Sequence, residues 1–223
     1  LKKVILIALA LCCQLSCSKS PETLELSEDA CISPLEWGIT LDEARAALSG
    51  YELTEKIGEG EASLSFEAPL FGQNVSIILK LALFTTGKDL YVPPEQVKPV
   101  LWQIHVLARD KDAVKESVSA VLGDQQMRRI GYYNYNGESG IQEGDELDEE
   151  GRYWRSEQTI ADLFSEKELE LITSEQVFER STDETRFYDT RAYSASWALM
   201  ENDQVALILT GSLLALRHVL KGE

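Results

Sequence analysis

The side chains that could do chemistry in this chain fall into four groups. The densest is the carboxylate run Glu143, Asp145, Glu146, Asp148, Glu149 and Glu150, whose hard oxygens are of the kind that bind calcium. An EF-hand loop alternates its ligands, places glycine at a fixed sixth position and closes on a bidentate glutamate. These residues are not in that register, and a solvated acidic loop accounts for them. His105 and His218 are the candidates for proton transfer. Both fall in stretches that read as strands, where alternation sets His218 on the face of Leu214, Leu216 and Leu220, and His105 on the more polar face of Gln103. Neither has an evident nucleophile beside it. Cys31 has no histidine near it in sequence to activate its thiol. Tyr132, Tyr133 and Tyr135, set among glycines and acids, have the adaptable composition of a contact loop. No phosphate-binding glycine loop, nucleophile elbow or zinc helix motif is present. The expectation is a protein that is not an enzyme, with no cofactor and no metal site.

A fifth reactive position is Cys17. Lys2 and Lys3 precede an apolar run from Val4 to Leu11, followed by Cys12, Cys13, Gln14, Leu15, Ser16 and Cys17. Two cations, a greasy core shorter than the ~20 apolar residues a spanning helix needs, and small or polar residues at a cleavage point make an export signal. Gln14 to Cys17 resembles the lipobox of bacterial lipoproteins, in which a small residue precedes a cysteine that is acylated and becomes the new N-terminus. Ser16 and Cys17 match that pattern, whereas Gln14 and the bulky Leu15 depart from it. The resemblance implies palmitate-type acyl chains on Cys17, and a chain held extracytoplasmically on a membrane of the cell envelope. Ordinary cleavage near Ser18 is the alternative. All four cysteines lie within the first 31 residues, so no disulfide framework holds the body together. Cys31 is then either an unpaired thiol in an exposed N-terminal segment or, if Cys17 is not acylated, its partner across a small loop.

The 38 acids and 21 bases give a formal charge of −17, and loss of Lys2 and Lys3 with the leader makes it −19. Such a surface repels nucleic acid, which needs clustered Lys and Arg; the only adjacent bases are Lys2 with Lys3 and Arg128 with Arg129. Hydrophobic content of 44% and charged content of 26% are those of a chain that can bury a core. Beyond the leader the longest apolar stretch, Val205 to Leu216, is broken by Thr210, Gly211 and Ser212, leaving the N-terminus as the expected membrane attachment.

The elements that must position these groups come in alternating periods. Ser18 to about Pro34 is rich in Ser, Glu and Pro without apolar periodicity and reads as a tether. Thr40 with Glu43 forms a capping box for a helix whose inward residues are Ala44, Ala47 and Leu48, stopped by Gly50. The period then becomes two. Leu64 and Phe66 mark one strand and Val75, Ile77, Leu79, Leu81 and Leu83 the next, joined by a turn within Pro69 to Asn74, and Trp102, Ile104, Val106 and Ala108 mark a third. A second helix is predicted from about Asp110 to Leu122, with Ala113, Val114, Val118, Val121 and Leu122 inward and Gly123 as its end.

Ile130 to Gly151 holds no Lys or Arg and reads as an exposed loop or linker. Helical spacing returns at Ile160, Leu163 and Phe164, and again after a second capping box, Ser165 with Glu168. Strands are predicted for Arg191 to Met200, Val205 to Thr210 and Leu213 to Leu220. Trp102 and Trp197 fall in strand patterns where a ring fills space between sheet and helix, and Trp37 precedes a capped helix on which it can pack.

The expected fold is α+β, with short helices packed on antiparallel meanders. Helix followed by strands occurs twice, so two similar halves are allowed for. The divisions are 1–16 signal peptide, 17–34 flexible tether, 35–130 first helix-and-sheet half, 131–152 acidic loop or linker, and 153–223 second half. Gly38 to Ala44, extended to Leu48, resembles the helix-opening motif of small outer-membrane-assembly lipoproteins, whose relatives include the secreted β-lactamase-inhibitor proteins. That resemblance implies an interaction module of helices on an antiparallel sheet, and it assigns no binding residues. The function expected is therefore a lipid-anchored binding or assembly module of the envelope with a protein partner. Against it stand an anchored or secreted hydrolase using carboxylates and calcium, and an inhibitor or immunity-type protein acting through Tyr132 to Tyr135.

Overall fold

The computed structural model describes residues 23–83, 98–123, 126–127, 152–169, 192–199 and 204–221. Its frame is an antiparallel sheet of eight strands. They are β3 (Thr54–Ile57), β4 (Glu61–Leu70), β5 (Gln73–Ala82), β6 (Val100–Ala108), β7 (Gln126–Met127), β8 (Arg152–Arg155), β9 (Ser194–Leu199) and β10 (Val205–Thr210). The spatial order is β3-β4-β5-β6-β10-β9-β8-β7. A separate pair, β1 (Glu25–Leu26) with β2 (Ile32–Ser33), forms an N-terminal hairpin. Helices are α1 (Leu41–Ala47), α2 (Lys111–Leu122), α3 (Ile160–Leu163) and α4 (Ser212–Lys221). The chain is thus α+β, and the pairing of β6 with β10 makes the strands of both expected halves one sheet.

Alternation builds the inner face as the sequence predicts. Ala62, Leu64, Phe66, Ala68 and Leu70 on β4, and Val75, Ile77, Leu79 and Leu81 on β5, are buried, and register sets Leu64 opposite Leu79 and Phe66 opposite Ile77. Leu70 pairs with Gln73, leaving a two-residue turn with Phe71 and Gly72 both at positive φ, 55° and 69°. This handedness matches the twist of the flanking strands. Pro69 is tolerated within β4 because β3 pairs only with Ala62 to Ser65, so no neighbour on that side needs its missing N–H.

Helix signals at chain level are equally literal. Thr40 caps α1, with Thr40 N–H donating to Glu43 Oε2 at 2.7 Å and Glu43 N–H to Thr40 Oγ1 at 3.4 Å. Arg45 then ties α1 to β3 through Glu55 while also pairing with Asp42. Asp110 Oδ1 accepts from Ala113 N–H at the start of α2, and Gly123 at φ 80° ends it. Val114 and Val118 are its buried residues; Val121, expected inward, is exposed because the packed stripe is narrower than the apolar one. Ile160, Leu163 and Phe164 are buried around α3 as expected, and the Ser165–Glu168 capping box is formed.

Four expectations are corrected. The stretch read as part of a 17–34 tether is instead built into the core from Leu24: Leu24, Ala30, Cys31 and Ile32 are buried, and Ser27, Asp29 and Cys31 knot the hairpin turn together. Residues 213–220 form helix rather than strand. Leu213, Leu214, Leu216, Val219 and Leu220 satisfy either period, but the buried set is Leu213, Ala215 and Leu216, and the helix is entered through an Ala215 N–H to Gly211 carbonyl bond. On β6 a bulge opposite Lys80 and Leu81 turns the parity, so Leu101 pairs with Leu81 and is buried while Trp102 is only half-buried. β8 was not expected; it closes on β9 with Trp154 buried and its indole donating to the Gly123 carbonyl at 3.1 Å.

The hairpin, α1, α2 and α4 all bury residues in one cluster with the inner face, while α3 and the far side of α4 share a second, smaller one. Among the described residues no helix is long and apolar enough to cross a membrane. Cys17, the carboxylate run 143–150 and the tyrosines Tyr132, Tyr133 and Tyr135 lie outside the described residues.

Candidate functional site

One concavity lies where the N-terminal hairpin meets α4. Trp37 is the hub: it is 4% exposed, and its indole N–H donates to the Asp29 carbonyl at 2.9 Å. Its ring lies against Gly211, where any Cβ would collide with it. Next to it Gly38, at φ 94°, leaves the space that the Cβ and ring of His218 occupy. Gly38 N–H donates to the Leu101 carbonyl, and Leu101 N–H to that of Ile39, each at 2.9 Å. Two glycines, far apart in sequence, therefore let the segment before α1 and the helix α4 meet without a gap. Beside that junction opens a cleft of about 430 Å³, whose polar wall is made by Ser27, Asp29, Glu36, Arg217 and His218.

The charges in this cleft are held apart. Asp29 Oδ1 accepts from Ser27 Oγ at 2.5 Å and from Cys31 N–H at 3.3 Å. Arg217 makes no ion pair with Asp29 or Glu36, and its Nε is shut off from solvent with no hydrogen-bond partner among the described residues. In the same hairpin turn, Cys31 is 1% exposed. Burial first, and the Asp29 carboxylate second, push its thiol well above the ordinary range. The exposed thiol expected from sequence is thus corrected to an inert core cysteine.

His105 sits on β6 as expected, on the outer face. Its Nε2 is 2.8 Å from Gln103 Oε1, and Gln103 Nε2 donates to Thr210 Oγ1 at 3.3 Å. Burial, with the nearby Lys80 charge second, lowers its pKa, and among the described residues His105 has no direct hydrogen bond to a hydroxyl or thiol. Register places Ser65, Ile78, His105, Ile208 and Ser196 in one row across the strands. Ile78, Leu107 and Ile208 are half-buried there and belong to neither core cluster. His218, predicted on a strand beside Leu214 and Leu216, is on α4 instead and lines the cleft.

A second concavity of about 470 Å³ lies at the sheet corner among Glu67, Asn74, Ser76, Arg109 and Gln204. Gln73 is the clip that holds it: Oε1 accepts from Arg109 and Asp110 N–H at 2.9 and 3.0 Å, and Nε2 donates to the Asp110 carbonyl at 3.1 Å. Among the described residues no three His, Cys, Asp or Glu side chains come together as metal ligands. Arg217, Asp29 and Trp37 were not singled out by sequence as a site; nothing in their spacing signals the meeting of a hairpin and a helix at opposite ends of the chain.

No protein-family model, curated protein or solved structure matches this chain. The two resemblances, at Gln14 to Cys17 and Gly38 to Leu48, rest on those residues alone.

Proposed function

We propose that this chain is a lipid-anchored protein of the cell envelope that works by holding a protein partner, not by turning over a substrate. The observation that carries the binding role is the outer face of the sheet. Ile78, Leu107 and Ile208 stand half-buried on adjacent strands outside both core clusters, flanked by Lys80, Gln103 and His105. Apolar side chains grouped on a rigid sheet and rimmed by polar ones are what a partner surface can bury. The anchor is supported by the leader, with Lys2, Lys3, the run Val4 to Leu11 and Cys17 in the order that export requires. Six residues lie between Cys17 and Leu24, the first buried residue among those described, a reach of at most ~25 Å, so the body would work close to the bilayer.

Crosslinking in intact envelopes tests this reading. A photo-reactive residue at position 208 should trap a defined protein species, and the same residue at Glu116 on the exposed side of α2 should not. Equal or absent trapping from both positions would remove the outer face as the contact surface.

A further inference from the structure

We propose that the edge of the sheet at β3 captures an extended, basic segment of another protein, which joins the sheet as an added antiparallel strand. Four strand spacings, about 19 Å, separate β3 from β10, so this surface is apart from the apolar group on the outer face and does not rest on it.

The phase of the ladder decides which backbone groups of β3 are free. Gly58 N–H donates to the Glu61 carbonyl at 2.9 Å. Bonded pairs alternate along an antiparallel ladder, so Lys56 and Thr54 bond across to Ser63 and Ser65 on β4. Glu55 and Ile57 then turn their N–H and C=O groups away from β4, and β3 is the last strand on that side among the described residues. Past Ser65, β4 has no partner there among the described residues, but Pro69 breaks that stretch by lacking an N–H. The usable edge is β3 itself.

Two features make this edge receptive. Ile57 is 68% exposed, the most exposed large hydrophobic residue among those described, and register puts it beside Ala62 on the inner-face side, where an added strand would cover it. Arg45 also holds β3 in place from α1, donating to the Glu55 carboxylate through Nε at 3.0 Å and Nη2 at 2.5 Å. Glu55 is an inward charge of the kind that discourages strand pairing, and this bidentate clamp neutralises it. An edge already fixed gives up little freedom when a strand adds.

Charge selects the occupant. Glu52, Glu59 and Glu61 are exposed around β3, against Lys56 alone in that stretch, while Glu55 is already paired. A second copy would bring the same carboxylates edge to edge and be repelled. A strand with lysine at its ends and β-branched residues between is attracted instead, and takes its affinity from main-chain bonds and its specificity from the side chain set against Ile57.

Amide ¹H–¹⁵N spectra and hydrogen exchange of the full chain test this with acetyl-Lys-Val-Thr-Val-Lys-amide. Laid antiparallel, its valines face Ile57 and Glu55, and its lysines lie toward the glutamates at either end. The peptide should shift the Glu55 and Ile57 amides saturably and slow their exchange at least about tenfold at saturation. Replacing both lysines with glutamate should weaken binding at least about fivefold. N-methylation of both valines, whose N–H groups face the edge, should weaken it at least about tenfold. Ile57→Pro removes an outward N–H without taking a bond from β4, and Ile57→Ser keeps the backbone while removing the apolar contact; each should weaken binding by a similar factor. No saturable shift, equal binding of the acidic or the N-methylated peptide, or unchanged binding by both Ile57 variants would each overturn the proposal. So would Glu55 and Ile57 amides already protected in the free monomer, or protected without peptide as protein concentration rises, the signature of pairing with a second copy.

Discussion

Gly211→Ala places one methyl group where α4 leaves the end of β10, and its consequence can be worked from the packing. The added Cβ falls on the Trp37 ring. That ring cannot retreat freely: Trp37 is buried, and its N–H is held by the Asp29 carbonyl at 2.9 Å. Overpacking of this kind costs about 1–3 kcal/mol, and a displaced indole N–H left without an acceptor costs about 1–3 kcal/mol more. A total of about 2–6 kcal/mol is expected, against the ~5–15 kcal/mol stability of an ordinary domain. For a chain of this size each kcal/mol lowers Tm by roughly 2–4 °C, so the variant should melt roughly 4–24 °C lower. Urea unfolding followed by circular dichroism measures the difference directly, and Trp37→Leu supplies the control. If the methyl meets the ring, the Gly211→Ala penalty should shrink by about 1 kcal/mol or more in the Trp37→Leu background. A Gly211→Ala variant within about 0.5 kcal/mol of the parent, or one whose penalty is the same in both backgrounds, would refute the packing of α4 over Trp37.

Three further outcomes follow from individual side chains. Thr40→Ala should cost about 1 kcal/mol at neutral pH by removing the α1 cap. The Thr40 hydroxyl, and then its backbone N–H, hold the Glu43 carboxyl below the usual range, so the stability from this pair is present above the ordinary carboxylate pKa and fades as pH falls through the depressed one; urea midpoints of Thr40→Ala and the parent should therefore converge in acid. His105 is likewise depressed, by burial and then by Lys80. The unfolded chain takes up its proton first as pH drops below about 6.5, so stability falls there, and His105→Asn should flatten that part of the pH profile. With Cys12, Cys13 and Cys17 changed to Ser, Cys31 should resist thiol reagents in the folded protein and label only as fast as the hairpin opens, because burial raises its pKa and closes access; rapid native labelling would contradict its place in the core.

Much of the frame was legible because its signals are local. Thr40 with Glu43, Asp110 with Gly123, and Ser165 with Glu168 mark helix ends by hydrogen bonds within one turn, and the unbroken alternation from Val75 to Leu81 can only be a half-buried strand. The misses share a different cause. Leu213 to Leu220 carries enough leucine to fit either period, and the choice was made by Gly211 bringing the chain across Trp37. The hairpin strands are two residues each, too short for periodicity, and their burial depends on a sheet formed much later in sequence. The bulge at Trp102 depends on Leu101 bonding to Gly38 and Ile39. The candidate cleft was invisible for the same reason, since Asp29 and Arg217 come to line one cleft only through tertiary packing. The outer face was half legible: alternation gave His105 and Gln103 their shared polar side, while Ile78 and Ile208 beside them required the register of β5, β6 and β10.

The mass of the mature N-terminal peptide, from protein expressed in a bacterium with its leader intact, bears most directly on the proposed role at the membrane. A peptide beginning at Cys17 and carrying acyl chains is the expected result. A peptide beginning at Ser18 without lipid, or an uncut leader on protein retained inside the cell, would contradict it.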